Sequence, residues 1–144
     1  MDSISKKYGD YKYFSFLEEK DLDKLKDISI KKTYKKDEIL FYKGDESKYL
    51  YLLVSGIAKL YTHDFKDNEV VIHNLIGPAL IAEIMNYEEM DFLANCSFDT
   101  DAEVILIDYK KFKEEFLQKP EISMFFIKSL TKKERDQYQS YNKT

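Results

Sequence analysis

The segment that decides the fold is YKGDESKYLYLLVSG, which runs from Tyr42 to Gly56. Gly44 and Gly56 stand twelve residues apart, and between them lies the apolar run Tyr49–Val54. A glycine at each end of such a run suits a tight turn at a strand end, where a positive φ angle is readily adopted. The segment therefore predicts a buried β-strand held between two glycine turns.

Further short runs rich in Ile, Val, Leu and Tyr lie on both sides of this segment. In chain order, the predicted strands cover residues 37–42, 49–54, 57–62, 69–75 and 103–108. Turn-forming residues separate them, for example in Asp64–Asn68 and Asp99–Asp101. Short strands divided by turns at this spacing indicate an antiparallel roll or barrel. Between the last two strands, residues 80–89 interrupt the pattern with helix-permissive side chains.

Helical patterns flank the predicted roll. From Ser15 to Asp27, apolar residues recur at helix-like spacing among charged ones, which predicts a short amphipathic helix. Asp108 suits the N-cap of a helix over Tyr109–Gln118, and Pro120 suits the first turn of the next helix. The predicted fold class is α+β: a jelly-roll-like antiparallel β-roll with a short N-terminal helix and C-terminal helices.

The composition indicates one domain. The chain of 144 residues contains four glycines and two prolines, and it has no linker-like tract. We divide it into an N-terminal extension (1–13), a helix with the β-roll (14–108) and C-terminal helices (109–144). With 44% hydrophobic and 35% charged residues, the balance is that of a globular protein.

Charge, hydropathy and cysteine content exclude several classes of protein. The net charge of −4 argues against binding of nucleic acid through the overall field of the protein. No apolar run approaches the ~20 residues of a membrane span, so no membrane association is expected. The single cysteine, Cys96, excludes an internal disulfide and fits a reducing compartment. We therefore expect a cytoplasmic protein.

Arginine is almost absent from the sequence. Lys and Arg together number 23, but Arg135 is the only arginine, and from Asp67 to Tyr109 there is neither residue. Lysine supplies a point charge, whereas arginine supplies two parallel donors that match a phosphate or carboxylate. A guanidinium site inside the roll is therefore excluded.

The order of elements resembles a known family. The glycine-bounded strand, followed by Gly77–Glu83, Asp101–Ile107 and Tyr109–Phe112, is similar to the cyclic nucleotide-binding domain, in particular the sensor half of the Crp/Fnr family of bacterial transcription regulators. The resemblance covers about residues 14 to 140. It implies an effector-sensing and dimerisation domain rather than an enzyme, with no catalytic residue, metal site or cofactor.

In that family a Gly-Glu pair, a helix N-terminus and an arginine hold the nucleotide in a cassette. Carried over, Ala82-Glu83 takes the Gly-Glu position, and Phe92 takes the position of the arginine. The predicted cassette residues are Ile81, Ala82, Glu83, Ile84, Phe92, Leu93, Ala94 and Asn95. A charge-assisted bond to the phosphate is worth about 1.5–3 kcal/mol, up to roughly a hundredfold in affinity. We therefore expect weak or absent binding of cyclic AMP and cyclic GMP.

Two interpretations of this degenerate cassette stay open. Its residues, together with Cys96, predict an apolar, neutral pocket with Glu83 as the single acid, which suits a small apolar or cationic effector. Alternatively, Phe92 fills the space of the nucleotide and the pocket is collapsed, because an aromatic side chain inside a β-roll usually belongs to the core. The second interpretation leaves a stand-alone interaction module.

The last helix is expected to form a homodimer. Ile122, Phe126, Leu130, Lys133 and Gln137 lie along a stripe with the three-to-four spacing of a helix seam. In Crp/Fnr regulators the equivalent helix leads to a helix-turn-helix domain. This sequence ends at Thr144, so we expect DNA contact only through a domain that the sequence does not contain.

Two other chemistries fit parts of the sequence. A cupin-like metal enzyme or small-molecule carrier shares the β-barrel pattern, but His63 and His73 are the only histidines and form no His-x-His pair. Haem ligation through His63, His73 or Cys96 stays open, because some relatives in the resembled family sense gases that way. The simpler interpretation is a strand-face histidine and a buried thiol.

Overall fold

Two four-stranded antiparallel sheets build the domain in the computed structural model, which describes residues 19–124. Within that range the strands are β1 (Ser29–Tyr34), β2 (Ile39–Phe41), β3 (Tyr49–Ser55), β4 (Ile57–His63), β5 (Glu69–Ile76), β6 (Ala79–Ile81), β7 (Asn95–Phe98) and β8 (Ala102–Asp108). The helices are α1 (Glu19–Asp27), α2 (Glu83–Tyr87) and α3 (Tyr109–Glu115), and residues 120–124 are also helical.

The strands alternate between the sheets in a jelly-roll-like manner. One sheet has the order β1-β8-β3-β6 and the other the order β2-β7-β4-β5. Apart from the consecutive strands β4 and β5, neighbours in each sheet are far apart in sequence, as in the antiparallel pairing of Leu52 with Ile105. This arrangement confirms the predicted α+β class with an antiparallel β-roll.

Strand β3 explains why the decisive segment is apolar at almost every position. Leu50, Leu52 and Val54 contribute to a core cluster between this sheet and the helices. Tyr51 and Leu53 alternate with them and contribute to a second cluster inside the roll. Because successive side chains of a strand point to opposite faces, both faces of β3 are buried, and the run contains no polar alternation.

The two predicted glycine turns are present. Gly44 has φ of 94° and Gly56 has φ of 100°, both in the left-handed region that favours glycine. At Gly56 there is also no room for a side chain, because a Cβ atom would stand 2.5 Å from the Asp101 carbonyl oxygen. At Gly44 no atom lies within 4 Å of a Cβ position, so only the backbone conformation requires glycine there.

The predicted strands agree with β2, β3, β4, β5 and β8 to within a few residues, whereas β1, β6 and β7 were not predicted. Strand β1 (SIKKTY) has four exposed residues in its middle, so it carries no apolar pattern. The other two strands have only three and four residues. Residues 80–89 were expected to be helix-permissive throughout, but their first residues belong to β6 and the helix covers only α2.

Helices α1 and α3 pack on the outer face of the first sheet. As predicted, Asp108 caps α3, because its side chain accepts a hydrogen bond from the Lys111 backbone N–H. Helix α3 ends at Glu115 rather than at Gln118. Lys119 Nζ lies 2.7 Å from Oδ1 of the buried Asp21, which joins α1 to the segment before residues 120–124.

Ile122 corrects one part of the predicted dimer seam. Its side chain is 3% exposed and belongs to the cluster between the helices and the first sheet. A side chain that is already buried within its own chain cannot pack against a second copy. The other seam residues (Phe126, Leu130, Lys133 and Gln137) lie outside the described residues, as do the extension 1–13 and the predicted start of the first helix at Ser15.

Candidate functional site

The predicted cassette is the segment that connects β6 to β7 and contains α2. Ala82 precedes the helix with φ of 52° and ψ of 35°, a left-handed conformation that glycine adopts without a steric cost. Glu83 begins α2 and is 2% exposed. The backbone therefore has a glycine-like geometry at the position where the resemblance places the glycine of the Gly-Glu pair.

Phe92 lies inside the roll and stacks on two other aromatic rings. Its side chain is 1% exposed, and its ring centroid lies 3.8 Å from that of Phe41, with 10° between the ring planes. The ring of Tyr51 lies 6.1 Å from Phe92 and 5.6 Å from Phe41. Three aromatic side chains from β2, β3 and the cassette thus fill a continuous volume beside the predicted binding position.

The backbone of Phe92 is bonded to the first glycine turn. The Gly44 N–H donates to the Phe92 carbonyl oxygen at 2.8 Å, and the Phe92 N–H donates to the Asp45 carbonyl oxygen at 2.9 Å. Asn95 adds a third link, because its Oδ1 accepts from the Lys43 N–H at 2.8 Å. The turn that the sequence singled out therefore also positions the cassette.

The structure brings only part of the predicted cassette together. Ile81 and Phe92 are buried in the cluster inside the roll, with Ala82 packed against its edge. Ile84 and Leu93, predicted to line an apolar pocket, are 46% and 52% exposed. Both exposures have a local reason. Because α2 has a single turn, Ile84 lies on a different face of the helix from the buried Glu83. Leu93 points away from the interior of the roll, which its neighbour Phe92 occupies. Ala94 and Asn95 are partly exposed.

The interior around Phe92 offers no positive charge to an anion. Among the described residues, the buried polar or charged side chains are Asp21, Glu83, Asn86 and Ser97, and none of them is basic. Burial raises the pKa of Tyr51 well above its ordinary value, so its hydroxyl is neutral. A phosphate placed beside the aromatic rings would therefore be desolvated without a cationic partner.

The residues weighed for haem ligation do not form a cluster of ligands. Cys96 is fully buried, and burial raises the pKa of its thiol to about 12. His63 is exposed at the end of β4, and His73 is partly buried in β5. Within residues 19–124, no three His, Cys, Asp or Glu side chains lie close enough together to hold a metal ion.

Sequence reasoning missed two residues that hold α2 in place. Asn86 Nδ2 donates to the carbonyl oxygens of Ser47, at 3.1 Å, and Tyr49, at 2.8 Å. Ser47 Oγ in turn donates to the Met90 carbonyl oxygen at 2.8 Å. The partners are 37 to 43 residues apart in sequence, and no local pattern indicates such contacts.

Comparison with known proteins identifies a family. The family model described as the cyclic nucleotide-binding domain matches residues 31–119, more than half of the chain. The anaerobic regulatory protein of Bacillus subtilis (strain 168) is 28% identical over 109 residues, which cover 72% of this chain and 44% of that protein. The chain therefore spans less than half the length of this relative.

Solved structures with the same fold come from different regulators. The sensor domain of the transcriptional regulator DNR from Pseudomonas aeruginosa matches with a TM-score of 0.76 and 18% identity, over 97% of this chain and 92% of that one. A variant of the regulatory subunit of a cAMP-independent protein kinase A from Trypanosoma brucei, bound to cAMP, matches with a TM-score of 0.68 and 14% identity, over 88% and 50% of the two chains.

The fold and the order of elements agree with these matches. Within the described residues, no helix is long and apolar enough to span a membrane. The chain therefore belongs to the cyclic nucleotide-binding domain family, and it has the fold of the sensor half of Crp/Fnr-type transcription regulators.

Proposed function

We propose that this domain is the effector-sensing and dimerisation part of a Crp/Fnr-type transcriptional regulator, and that its cassette does not hold cyclic AMP or cyclic GMP tightly. The observation that carries the proposal is the position of Phe92, whose ring stacks on Phe41 in the interior of the roll. The role is regulatory and not catalytic, in keeping with the family.

Two energetic terms oppose a cyclic nucleotide at this site. The charge-assisted bond that an arginine gives to the phosphate is missing, which removes about 1.5–3 kcal/mol. The ring of Phe92 would also have to leave the cluster, and exposing a buried aromatic side chain costs about 1.5–3 kcal/mol. Together these terms weaken binding by about two to four powers of ten.

Membership in the family does not by itself require the usual ligand. The fold also occurs in the regulatory subunit of a kinase described as cAMP-independent. In the present chain the left-handed conformation at Ala82 and the buried Glu83 are kept, while the interior beside them is filled. These features favour a domain that keeps the family's framework and transmits a signal without the family's nucleotide.

A second copy of the chain is the proposed partner, through the last helix. Residues 120–124 are helical, and the first residue of the stripe, Ile122, is buried within its own chain. The proposed seam therefore consists of Phe126, Leu130, Lys133 and Gln137, which follow along the sequence. A signal would then pass as a change in dimer geometry, and DNA would be contacted through a helix-turn-helix domain.

Titration calorimetry with cyclic AMP and cyclic GMP tests the nucleotide part of the proposal. We expect a Kd weaker than about 1 mM for both, near the limit of specific binding. Micromolar binding of either nucleotide would contradict it. If binding occurs, Glu83→Gln shows whether the cassette is responsible, because loss of a hydroxyl-accepting carboxylate weakens a cassette ligand and leaves a surface ligand unaffected.

Light scattering coupled to size exclusion tests the dimer. We expect twice the 17.2 kDa mass of one chain, and a shift towards the monomer in Leu130→Glu. Lys132→Glu is the matched control, because it introduces the same side chain outside the stripe. A wild-type protein that stays monomeric at high concentration would contradict the proposal that the last helix forms a dimer.

A stand-alone interaction module is the second candidate, and the filled interior favours it equally. The two candidate functions differ in one respect: in a sensor domain an effector changes the geometry of the dimer, whereas an interaction module responds to no effector. The cupin-like alternative has no support from the family match.

A further inference from the structure

An ion pair joins α1 to the start of the last helix, whose described part is residues 120–124. Lys119 Nζ lies 2.7 Å from Asp21 Oδ1, and the two residues are 98 positions apart in the sequence. Asp21 lies in α1, and Lys119 immediately precedes the last helix. The pair is therefore a direct link between the first helix of the described chain and the helix to which we assign the dimer.

Lys119 belongs to the turn that separates α3 from the last helix. Its N–H donates to the Phe116 carbonyl oxygen at 3.0 Å, and its carbonyl oxygen accepts from the Ser123 N–H at 3.0 Å. The second bond closes the first turn of the last helix, and Pro120 suits that turn because a missing N–H costs nothing there. Whatever holds Lys119 in place therefore also holds the first turn of that helix.

The pair is buried on one side and open to water on the other. The side chain of Asp21 is 8% exposed, whereas that of Lys119 is 40% exposed. If Lys119 moved away, its ammonium group would be hydrated, but the Asp21 carboxylate would stay in the interior without that cation. Removing one partner of a buried ion pair is strongly unfavourable, so the closed pair is the preferred state.

Apolar packing beside the pair holds the last helix but constrains its direction less closely. Leu25, Phe116 and Ile122 belong to one core cluster, and they come from α1, the turn and the last helix. Burial of apolar surface is non-directional, so such contacts tolerate small changes of helix angle. A charge-assisted hydrogen bond is short and directional, and the bond between Asp21 and Lys119 selects one angle.

A second ion pair, on α3, differs in its burial and in the elements that it joins. Lys113 pairs with Glu89, and their side chains are 45% and 62% exposed. Exposed pairs contribute little to stability because both charges are hydrated and screened. This pair joins α3 to the loop after α2 rather than to the last helix, which makes it a matched control.

We propose that the pair of Asp21 and Lys119 is a latch that fixes the direction in which the last helix leaves the domain, and that opening the latch changes the geometry of the dimer. The consequence for the dimer rests on the proposed function, whereas the latch itself does not. A movement of α1 would reach the last helix through this pair without passing through the cassette. The domain thus has a second regulatory input, at the N-terminal end of the described chain.

Hydrogen exchange of the full chain, followed by NMR, tests the latch within one chain. Asp21→Asn removes one charge and nearly keeps the shape of the side chain, and Lys119→Gln removes the other charge. We expect the Ser123 amide to exchange at least about tenfold faster in either variant, whereas the Leu52 amide, which reports global unfolding, should change less. The double variant should resemble the single ones because the two residues act as a unit, and Lys113→Gln should match wild type. Unchanged exchange at Ser123, or equal acceleration at Ser123 and Leu52, would overturn the latch.

Distances between two nitroxide labels test the consequence for the dimer. Lys132→Cys provides one labelling site per chain, because Cys96 is fully buried. We expect one narrow distance distribution in the dimer of this labelled chain, and a shifted or broader distribution when Asp21→Asn is added. Lys113→Gln should leave the distribution unchanged. An unchanged distribution with Asp21→Asn would overturn the link between latch and dimer, whereas a monomeric labelled chain would overturn the proposed dimer, and exchange at Ser123 would still decide the latch.

Discussion

The rings of Phe41 and Phe92 lie almost parallel, with their centroids 3.8 Å apart. Phe41 is the last residue of β2, and Phe92 stands in the segment before β7, the strand that pairs with β2. The contact thus links the segment before β7 to the strand with which β7 pairs.

Removing the ring of Phe92 should therefore cost stability. Phe92→Ala deletes a side chain that is 1% exposed and stacked on Phe41, so we expect the free energy of unfolding to fall by about 3–5 kcal/mol. Chemical denaturation followed by circular dichroism measures this. Leu93→Ala is the control: the neighbouring side chain is 52% exposed, and its loss should cost less than about 1 kcal/mol. Similar losses in both variants would argue against a filled interior.

Replacing Ala82 by glycine should stabilise the domain. Ala82 has φ of 52°, a conformation that costs an alanine about 1–2 kcal/mol and a glycine almost nothing. Glycine loses part of this gain through the greater entropy of its unfolded chain, so we expect a net increase of about 0.5–1 kcal/mol. Ala79→Gly, in strand β6, should have the opposite sign, and a thermal melt distinguishes the two. A loss of stability in both variants would mean that the left-handed turn carries no strain.

The two glycine turns should differ in their tolerance of alanine. At Gly44 only the conformational cost applies, because no atom lies within 4 Å of the new Cβ, and we expect a loss of about 1–2 kcal/mol. At Gly56 the Cβ would also stand 2.5 Å from the Asp101 carbonyl oxygen, and overpacking adds about 1–3 kcal/mol. Urea denaturation of both variants gives the comparison. Equal losses of stability in the two variants would show that the backbone at Asp101 moves away from the new Cβ at Gly56 without an energetic cost.

The thiol of Cys96 should be unreactive in the folded protein. Burial raises its pKa to about 12, so at pH 8 it is neutral and inaccessible. We expect no reaction with a disulfide reagent such as DTNB until denaturant unfolds the chain. Rapid labelling of the native protein would contradict the burial of Cys96 in the core.

The same thiol makes stability depend on alkaline pH. Because the folded pKa lies above the unfolded value of about 8.5, the contribution is complete below pH 8.5 and is lost as the pH rises towards 12. Between pH 7 and pH 10, wild type should lose about 2 kcal/mol more than Cys96→Ala. Parallel losses in the two proteins would show that the thiol does not ionise on unfolding.

Features with a local cause could be predicted from the sequence. Gly44 and Gly56 were identified because a positive φ angle favours one residue type, and Asp108 because an N-cap needs a side-chain acceptor. These signals lie within a few residues of the structure that they indicate.

Features that depend on residues far apart in the sequence could not be predicted from it. Strand β1 pairs with β8, whose residues lie 68 to 78 positions further along the chain, and its exposed lysines give no apolar alternation. The half-exposed positions of Ile84 and Leu93 depend on the direction in which a single helical turn leaves β6. Asn86 finds its partners at Ser47 and Tyr49 only after the roll has closed.

The hydrogen bonds between Phe92 and the turn at Gly44 and Asp45 use main-chain atoms at both ends. Any residue except proline at position 92 can make them, so the backbone keeps its course whichever side chain stands there. On the proposed function, a lineage could exchange a ligand-binding side chain at this position for a core side chain, or the reverse, without rebuilding the strands around it. One fold could then gain or lose its effector through a substitution at a single residue.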